Sequence, residues 1–182
     1  MIVDQTTISL LLPEIILVAI ATFIYVAGTF NPHPRWWATF SVITYLAVLS
    51  VLRFADNVVW LNFSAGHLAN SGPLAVDYLG QALRAVAVLM GLLFTLMNWP
   101  TANAKLTSER LGTLMLVVVG VMLVSRANEL VLLFLGLELV SIPTYVLLFL
   151  GRRDRASAEA TAKYFFLSIL SSGVLLYGFS FL

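Results

Sequence analysis

Six long apolar stretches follow one another along this chain, at Ile8–Thr29, Trp36–Arg53, Leu79–Trp99, Leu111–Ser125, Leu130–Leu150 and Ser157–Leu182. A helix that crosses the hydrocarbon core of a bilayer needs roughly 20 mostly apolar residues at a rise of about 1.5 Å each. The fourth stretch is the shortest and needs its flanks to reach across. Hydrophobic residues make up 60% of the 182-residue chain and charged residues 10%, against about 25% charged in ordinary soluble domains. A water-soluble fold of this size cannot hide so much apolar surface, whereas a bilayer acts as its solvent. The expected fold class is therefore all-α, a polytopic transmembrane helix bundle of about six spanning helices, with residues 1–182 as a single transmembrane domain and the lipid bilayer as its surroundings.

The same composition excludes several functions. The chain contains no cysteine, so disulfides, thiolate metal sites and cysteine-ligated iron–sulfur clusters are not expected within it. A formal charge of +1 offers no concentrated basic face, so nucleic acid is not an expected partner. Asp4 precedes the first apolar run and no basic leader region is evident, so a cleavable signal is not expected. His33 and His67 are solitary and lie in loops, which argues against a metal site. No Ser/His/Asp set or glycine-rich phosphate loop suggests a free-standing enzyme.

Between the first two spans, "NPHPRWW" combines helix-ending prolines with tryptophans suited to a membrane interface. The longest connection, "FADNVVWLNFSAGHLANSGPLAVDY", mixes apolar and turn residues. It fits either a strand pair or a surface helix. With the N-terminus outside, the inner flanks carry Arg35, Lys105, Arg110, Arg152, Arg153 and Arg155, and the outer flanks carry Arg53, Arg84 and Arg126. The positive-inside rule favours that orientation.

Charged side chains near the bilayer centre cost about 2.5–3.5 kcal/mol on insertion scales, so an intramembrane charge needs a partner, a hydrated cavity or neutralisation. Glu138 is the sharpest instance. In "LFLGLELVSIPTYVLLFLG" it lies about 3 Å from the middle of its span by residue count. Pro143 removes the backbone donor to the Leu139 carbonyl and weakens the helix beside it. Ser141 and Tyr145, at i+3 and i+7, share the face of Glu138 and form a polar stripe. Lys163, in "EATAKYFFLSILSSG", lies about 9 Å inside its span. A direct salt bridge between the two is not expected, although water can link them. Ser168, Ser171, Ser172 and Gly173 form a small-residue patch suited to close helix packing. The bland alternatives are a protonated, purely structural Glu138 and a Lys163 that snorkels to the interface. Glu14, after Pro13, reads as a first-turn acid favoured by the helix dipole. Arg126 and Glu129 read as an interfacial turn and a helix start.

The segment "SRANELVLLFLGLELVSIPTYVLLFLGRRDRASAEATAKYFFLSILSSGVLLYG" is very similar to the antiporter-like subunits of NADH:quinone oxidoreductase, respiratory complex I, most of all to the family of subunit N, called subunit 2 in mitochondria. "LLPEIILVAIATFIY" also resembles the first helix of that family. The strong similarity covers about residues 125–180.

The resemblance implies a proton-translocating subunit without a redox centre, driven by electron transfer among NADH, FMN, iron–sulfur clusters and quinone in other subunits. Its partners would be other membrane subunits of complex I, including neighbouring antiporter-like subunits. On the family's pattern, Glu138 matches the glutamate of helix 5 and Lys163 the lysine of helix 6, both in proton transfer. The family's glutamate pairs with a lysine on helix 7, which falls outside this sequence. With about fourteen helices and an internal inverted repeat in the family, the sequence reads as the first part of a longer chain. A bacterial plasma membrane is the expected location, with the mitochondrial inner and thylakoid membranes as alternatives. A cation/proton antiporter subunit, a membrane-bound hydrogenase subunit and a passive membrane scaffold are the competing functions.

Overall fold

The computed structural model describes residues 10–30, 33–64, 73–75, 77–99, 106–151 and 154–182, with side-chain surroundings left aside for 54–64. Lys105, Arg152, Arg153 and His67 lie outside the described residues. Six helices make up the fold of the described residues: α1 (Leu12–Phe30), α2 (Pro34–Ser64), α3 (Tyr78–Met97), α4 (Thr107–Val124), α5 (Leu130–Gly151) and α6 (Arg155–Phe179). All six are long and apolar enough to cross a membrane. The architecture is an all-α transmembrane bundle, as the apolar stretches require.

Local chemistry explains the helix ends. Pro13 and Glu14 occupy the first turn of α1, where a missing N–H costs nothing and a carboxylate meets the positive end of the helix dipole. Pro34 opens α2 in the same way. Asp77 caps α3 by accepting from the Gly80 N–H at 2.9 Å, and Asp154 caps α6 by accepting from the Ser157 N–H at 2.7 Å. Side-chain acceptors at these positions satisfy donors that the helix itself leaves unpaired.

Two helices extend well beyond the sequence expectation. Helix α4 starts at Thr107, which supplies the flank that the short apolar run lacked. Helix α2 runs past Arg53 to Ser64, so the first part of the long connection is helical. Residues 54–64 contain neither proline nor glycine, and nothing in them breaks a helix once begun. Further on, Leu74 forms an isolated antiparallel bridge with Ala127. Its hydrogen bonds run from the Ala75 N–H to the Arg126 carbonyl (2.8 Å) and from the Asn128 N–H to the Pro73 carbonyl (2.9 Å).

Helix α4 is the hub, packing against α1, α2, α3 and α5. Its Met115, Val119 and Met122 meet Leu17, Ala21 and Ile24 of α1, Tyr45 and Val48 of α2, and Val88 of α3 in one buried cluster. The α4–α5 contact is made of backbone. A Cβ added at Gly120 would lie 2.7 Å from the Val140 nitrogen and 2.8 Å from the Leu139 carbonyl carbon. At Gly136 it would lie 3.1 Å from the Val124 nitrogen. Small residues of this kind let membrane helices gain close van der Waals contact where lipid supplies no hydrophobic drive. Helix α6 packs on α5 and has no buried residue.

The other tie is ionic. Arg84, 1% exposed, and Glu14, 3% exposed, join α3 to α1, with Arg84 Nη2 2.8 Å from Glu14 Oε1 and donating to Oε2 at 2.9 Å. Arg84 also donates to Gln81 Oε1 at 3.0 Å and to the Leu10 carbonyl at 3.3 Å. Arg126, also buried, donates from Nε to the Ala75 carbonyl at 3.0 Å and from Nη1 to the Leu10 carbonyl at 3.4 Å. Glu14 does stand in the first turn of its helix, but it is also half of a buried pair. Arg84 and Arg126 are not simple flank charges: both guanidiniums are enclosed, because carbonyls and a carboxylate replace the water they give up.

Two outcomes follow for stability. Gly120→Ala forces two backbones apart and is expected to cost about 1–3 kcal/mol, measured as a shift of reversible unfolding in mixed micelles. Arg84→Ala leaves a buried carboxylate unpaired and is expected to cost about 3–5 kcal/mol. The double replacement Glu14→Gln with Arg84→Met recovers much of that loss; a cycle with no coupling would contradict the pairing.

Candidate functional site

The candidate site lies between α5 and α6, next to the backbone contact that fixes α5 on the hub. Glu138 is half-buried and one residue from Leu139, whose carbonyl carbon approaches Gly120. Its position on the helix is therefore set by a close backbone contact between α4 and α5. Its Oε1 accepts a hydrogen bond from Ser172 Oγ of α6. Seven residues on, Tyr145 is buried and its hydroxyl donates to Ser168 Oγ. Residues seven apart on α5 and four apart on α6 each stay on one face, so the two pairs form one polar seam between antiparallel helices. Apolar and aromatic contacts close one end of it, with the Tyr145 ring meeting Tyr164 and Phe165 edge-on at centroid distances of 5.2 and 5.6 Å.

Of the small-residue patch, Ser168 and Ser172 face α5 through these bonds, while Ser171 and Gly173 are exposed. Pro143 sits inside α5 and is buried. Beside it, Thr144 Oγ1 donates to the Val140 carbonyl at 2.6 Å, so a side-chain hydroxyl supports the turn that the proline weakens. Ser141 is half-buried.

The structure brings Glu138 and Tyr145 to the seam but does not bring Lys163 there. Lys163 pairs with Glu159 one turn away, Nζ to Oε1 at 2.6 Å, with both side chains largely exposed. Nine residues separate Lys163 from Ser172, about two and a half turns, which places them on opposite sides of α6. Any water link between Glu138 and Lys163 would therefore have to run around α6. Among the described residues no group of three or more His, Asp or Glu side chains is arranged to hold a metal ion.

Sequence reasoning passed over two features. Arg84 stands within an apolar span and deserved the same suspicion as Glu138, since an intramembrane charge needs a partner; Glu14, at the same end of the bundle, was the available one. Ser172 entered only as a small residue, and its role as a hydroxyl donor to Glu138 depends on how α5 and α6 are rotated.

Comparison with known proteins bears on the chain's family resemblance and fold. Residues 127–182 match the family model described as NADH:quinone oxidoreductase/Mrp antiporter, transmembrane. Over 174 residues the chain is 34% identical to NADH-quinone oxidoreductase subunit N of Halorhodospira halophila, covering 94% of this chain and 35% of that protein. It is 29% identical over 180 residues to F(420)H(2) dehydrogenase subunit N of Methanosarcina mazei, covering 94% and 36%. The fold matches a chain in the structure of respiratory complex I from Thermus thermophilus with bound aureothin, with a TM-score of 0.69 and 23% identity, over 91% of this chain and 35% of that one. The chain thus spans about a third of the length of the curated relatives it matches. Residues 127–182 are thus similar to the NADH:quinone oxidoreductase/Mrp antiporter family of membrane subunits, and subunit N proteins are among the relatives of the whole chain.

Proposed function

We propose that this chain is part of a proton-translocating membrane subunit of NADH:quinone oxidoreductase, in which Glu138 takes up and releases the proton that moves. The observation that carries the reading is an acid near the middle of a spanning helix, held by a serine hydroxyl. A hydroxyl donates to a carboxylate and accepts from a carboxylic acid, so the Glu138–Ser172 contact can persist through a change of protonation. Such a contact suits a relay better than a permanent ion pair does.

The driving energy would come from electron transfer in other subunits, which would hold NADH, FMN, the iron–sulfur clusters and quinone. An opposite charge close to a lysine holds the lysine's proton, and separating the two weakens that hold. A cation brought to and from Glu138 by neighbouring protein would then drive a transfer without a cofactor in this chain. Lys163 is assigned a second proton-transfer role on the far side of α6. With Glu159, it places charge on an uncovered face in a segment that crosses the membrane, and such groups face protein or water rather than lipid. That supports other membrane subunits, or further helices, as the cover of α6. The membrane would be a bacterial plasma membrane with the N-terminus outside, and residues 1–182 a single transmembrane unit.

A second reading has its own support, because the family description also names Mrp antiporters and one relative is named for F(420)H(2) rather than NADH. The donor can differ while the proton step stays the same, and cation exchange without redox chemistry is the clear rival. Proton movement that depends on electron transfer separates the two.

In the full-length protein assembled with its partners, Glu138→Ala is expected to lower redox-driven proton translocation at least about tenfold, the scale of losing a positioned acid–base group. Glu138→Asp retains part of the activity, and Ser172→Ala gives a smaller defect. Normal pumping by the alanine variant would defeat the proposal. Lys163→Ala is expected to reduce the proton-to-electron ratio more mildly; an unaltered ratio would leave Lys163 a structural residue. A reporter fused after Arg155 should prove cytoplasmic.

A further inference from the structure

A cavity of about 600 Å³ opens at the end of the bundle opposite the Glu14–Arg84 pair, where the C-terminal ends of α3 and α5 meet the N-terminal end of α4. Its walls are Phe94 of α3, Leu111, Leu114 and Val117 of α4 and Leu147 of α5. Arg110 and Asn98 stand at the mouth. From Arg110 to Val117 the wall runs about 10 Å along the helix axis. It is a slot that begins at a charged rim and extends into the apolar part of the bundle.

The threonines along the slot do not make it an aqueous channel. Thr95 donates to the Gly91 carbonyl at 2.9 Å and Thr144 to the Val140 carbonyl at 2.6 Å. Their donor hydrogens are thus spent on their own helices. Asn98 Nδ2 likewise donates to the Phe94 carbonyl at 2.9 Å. Arg110 differs. Its Nη2 donates to the Leu150 and Gly151 carbonyls at 2.6 and 3.3 Å, and its Nε to the Leu150 carbonyl at 3.2 Å. Those bonds fix the guanidinium at the rim. Among the described residues Nη1 makes no hydrogen bond and keeps two donors directed elsewhere. Glu109, the adjacent acid, accepts from Ser108 Oγ at 3.1 Å and is not part of the lining.

We propose that this cavity is a binding site for one anionic phospholipid of the leaflet on the Arg110 side, with an acyl chain in the apolar slot and the phosphate on Arg110. Three properties select that ligand together. A slot of this size suits a bound small molecule or chain, its inner walls are apolar, and the one charged group among its described lining residues is a fixed arginine whose planar fork suits phosphate. A zwitterionic lipid offers the same phosphate but brings its own ammonium group beside the guanidinium, where like charges repel, and a soluble phosphate would leave the slot unfilled.

The test is native mass spectrometry of the full-length protein offered equal amounts of phosphatidylglycerol and phosphatidylcholine with the same acyl chains. One phosphatidylglycerol is expected to stay bound, preferred roughly tenfold. Arg110→Gln should abolish the preference, and Leu114→Trp, which fills the slot and leaves the charge in place, should abolish retention. Both variants are checked for unchanged helicity by circular dichroism. Equal retention of the two lipids by the unmodified protein would overturn the proposal without recourse to any variant. So would displacement of the lipid by glycerol 3-phosphate at equal concentration, which would mark a site for soluble phosphate. Undiminished retention by folded Leu114→Trp would show that the slot is not where the chain lies.

Discussion

The position of Glu138 in this fold depends on how closely α4 and α5 approach. Helices that are apolar around most of their circumference give one another little directional information in lipid, because a leucine is as well solvated by acyl chains as by a neighbouring helix. Direction comes from where backbones can touch. Gly120 and Gly136 supply that, since each leaves space that a Cβ would fill against the partner's main chain. Glu138 follows from it: with Leu139 and Val140 fixed on Gly120, the carboxylate two residues before Val140 has one direction open to it, away from the hub and toward α6. A carboxylate so placed owes its geometry to glycines that carry no chemistry.

The opposite problem is solved at the end of the bundle where α1 begins. There the helices are held by charge, with Arg84 reaching Glu14, Gln81 and the Leu10 carbonyl, and Arg126 reaching the Leu10 and Ala75 carbonyls. Five donors spread over three nitrogens of a planar fork let arginine reach several well-separated acceptors at once, whereas a lysine's three donors all sit on one nitrogen. Such a network need not add net stability over an apolar isostere. What it does is make wrong rotations of α1 and α3 costly, because each would leave a charge buried without its partner. Close backbone contact fixes α5 on α4, and charge ties the start of α1 to α3.

The amount of this that could be read from sequence differs with the range of the interaction. Span number followed from the length of each apolar run, which is a local property. The stripe of Glu138 and Tyr145 followed from helical period, again local, and both residues do face α6. The partner of Arg84 is 70 residues away in the chain and no periodicity points to it. Even so, an arginine within an apolar run was a cue of the same kind as Glu138, and treating it as a flank charge discarded it. Lys163 shows the converse limit. Its depth in the span was legible, whereas its direction was not, because the sequence between Lys163 and Ser172 has no feature that says which side of α6 will meet α5.

That direction constrains any mechanism that uses both ionisable groups. Glu138 reaches Ser172 on the inner side of α6, while Lys163 and Glu159 lie on the outer side. The backbone of a helix offers no protons for transfer, since its N–H groups are already committed to its own carbonyls. A proton cannot pass directly through α6 from one side to the other. A path joining Glu138 to Lys163 must go around the helix, by way of groups or water held between α6 and whatever protein covers its exposed face. The acid is positioned by the bundle described here, but the lysine must be positioned by its neighbours. On the proposed mechanism, the seam and the outer face of α6 would be two halves of a site that the surrounding protein joins.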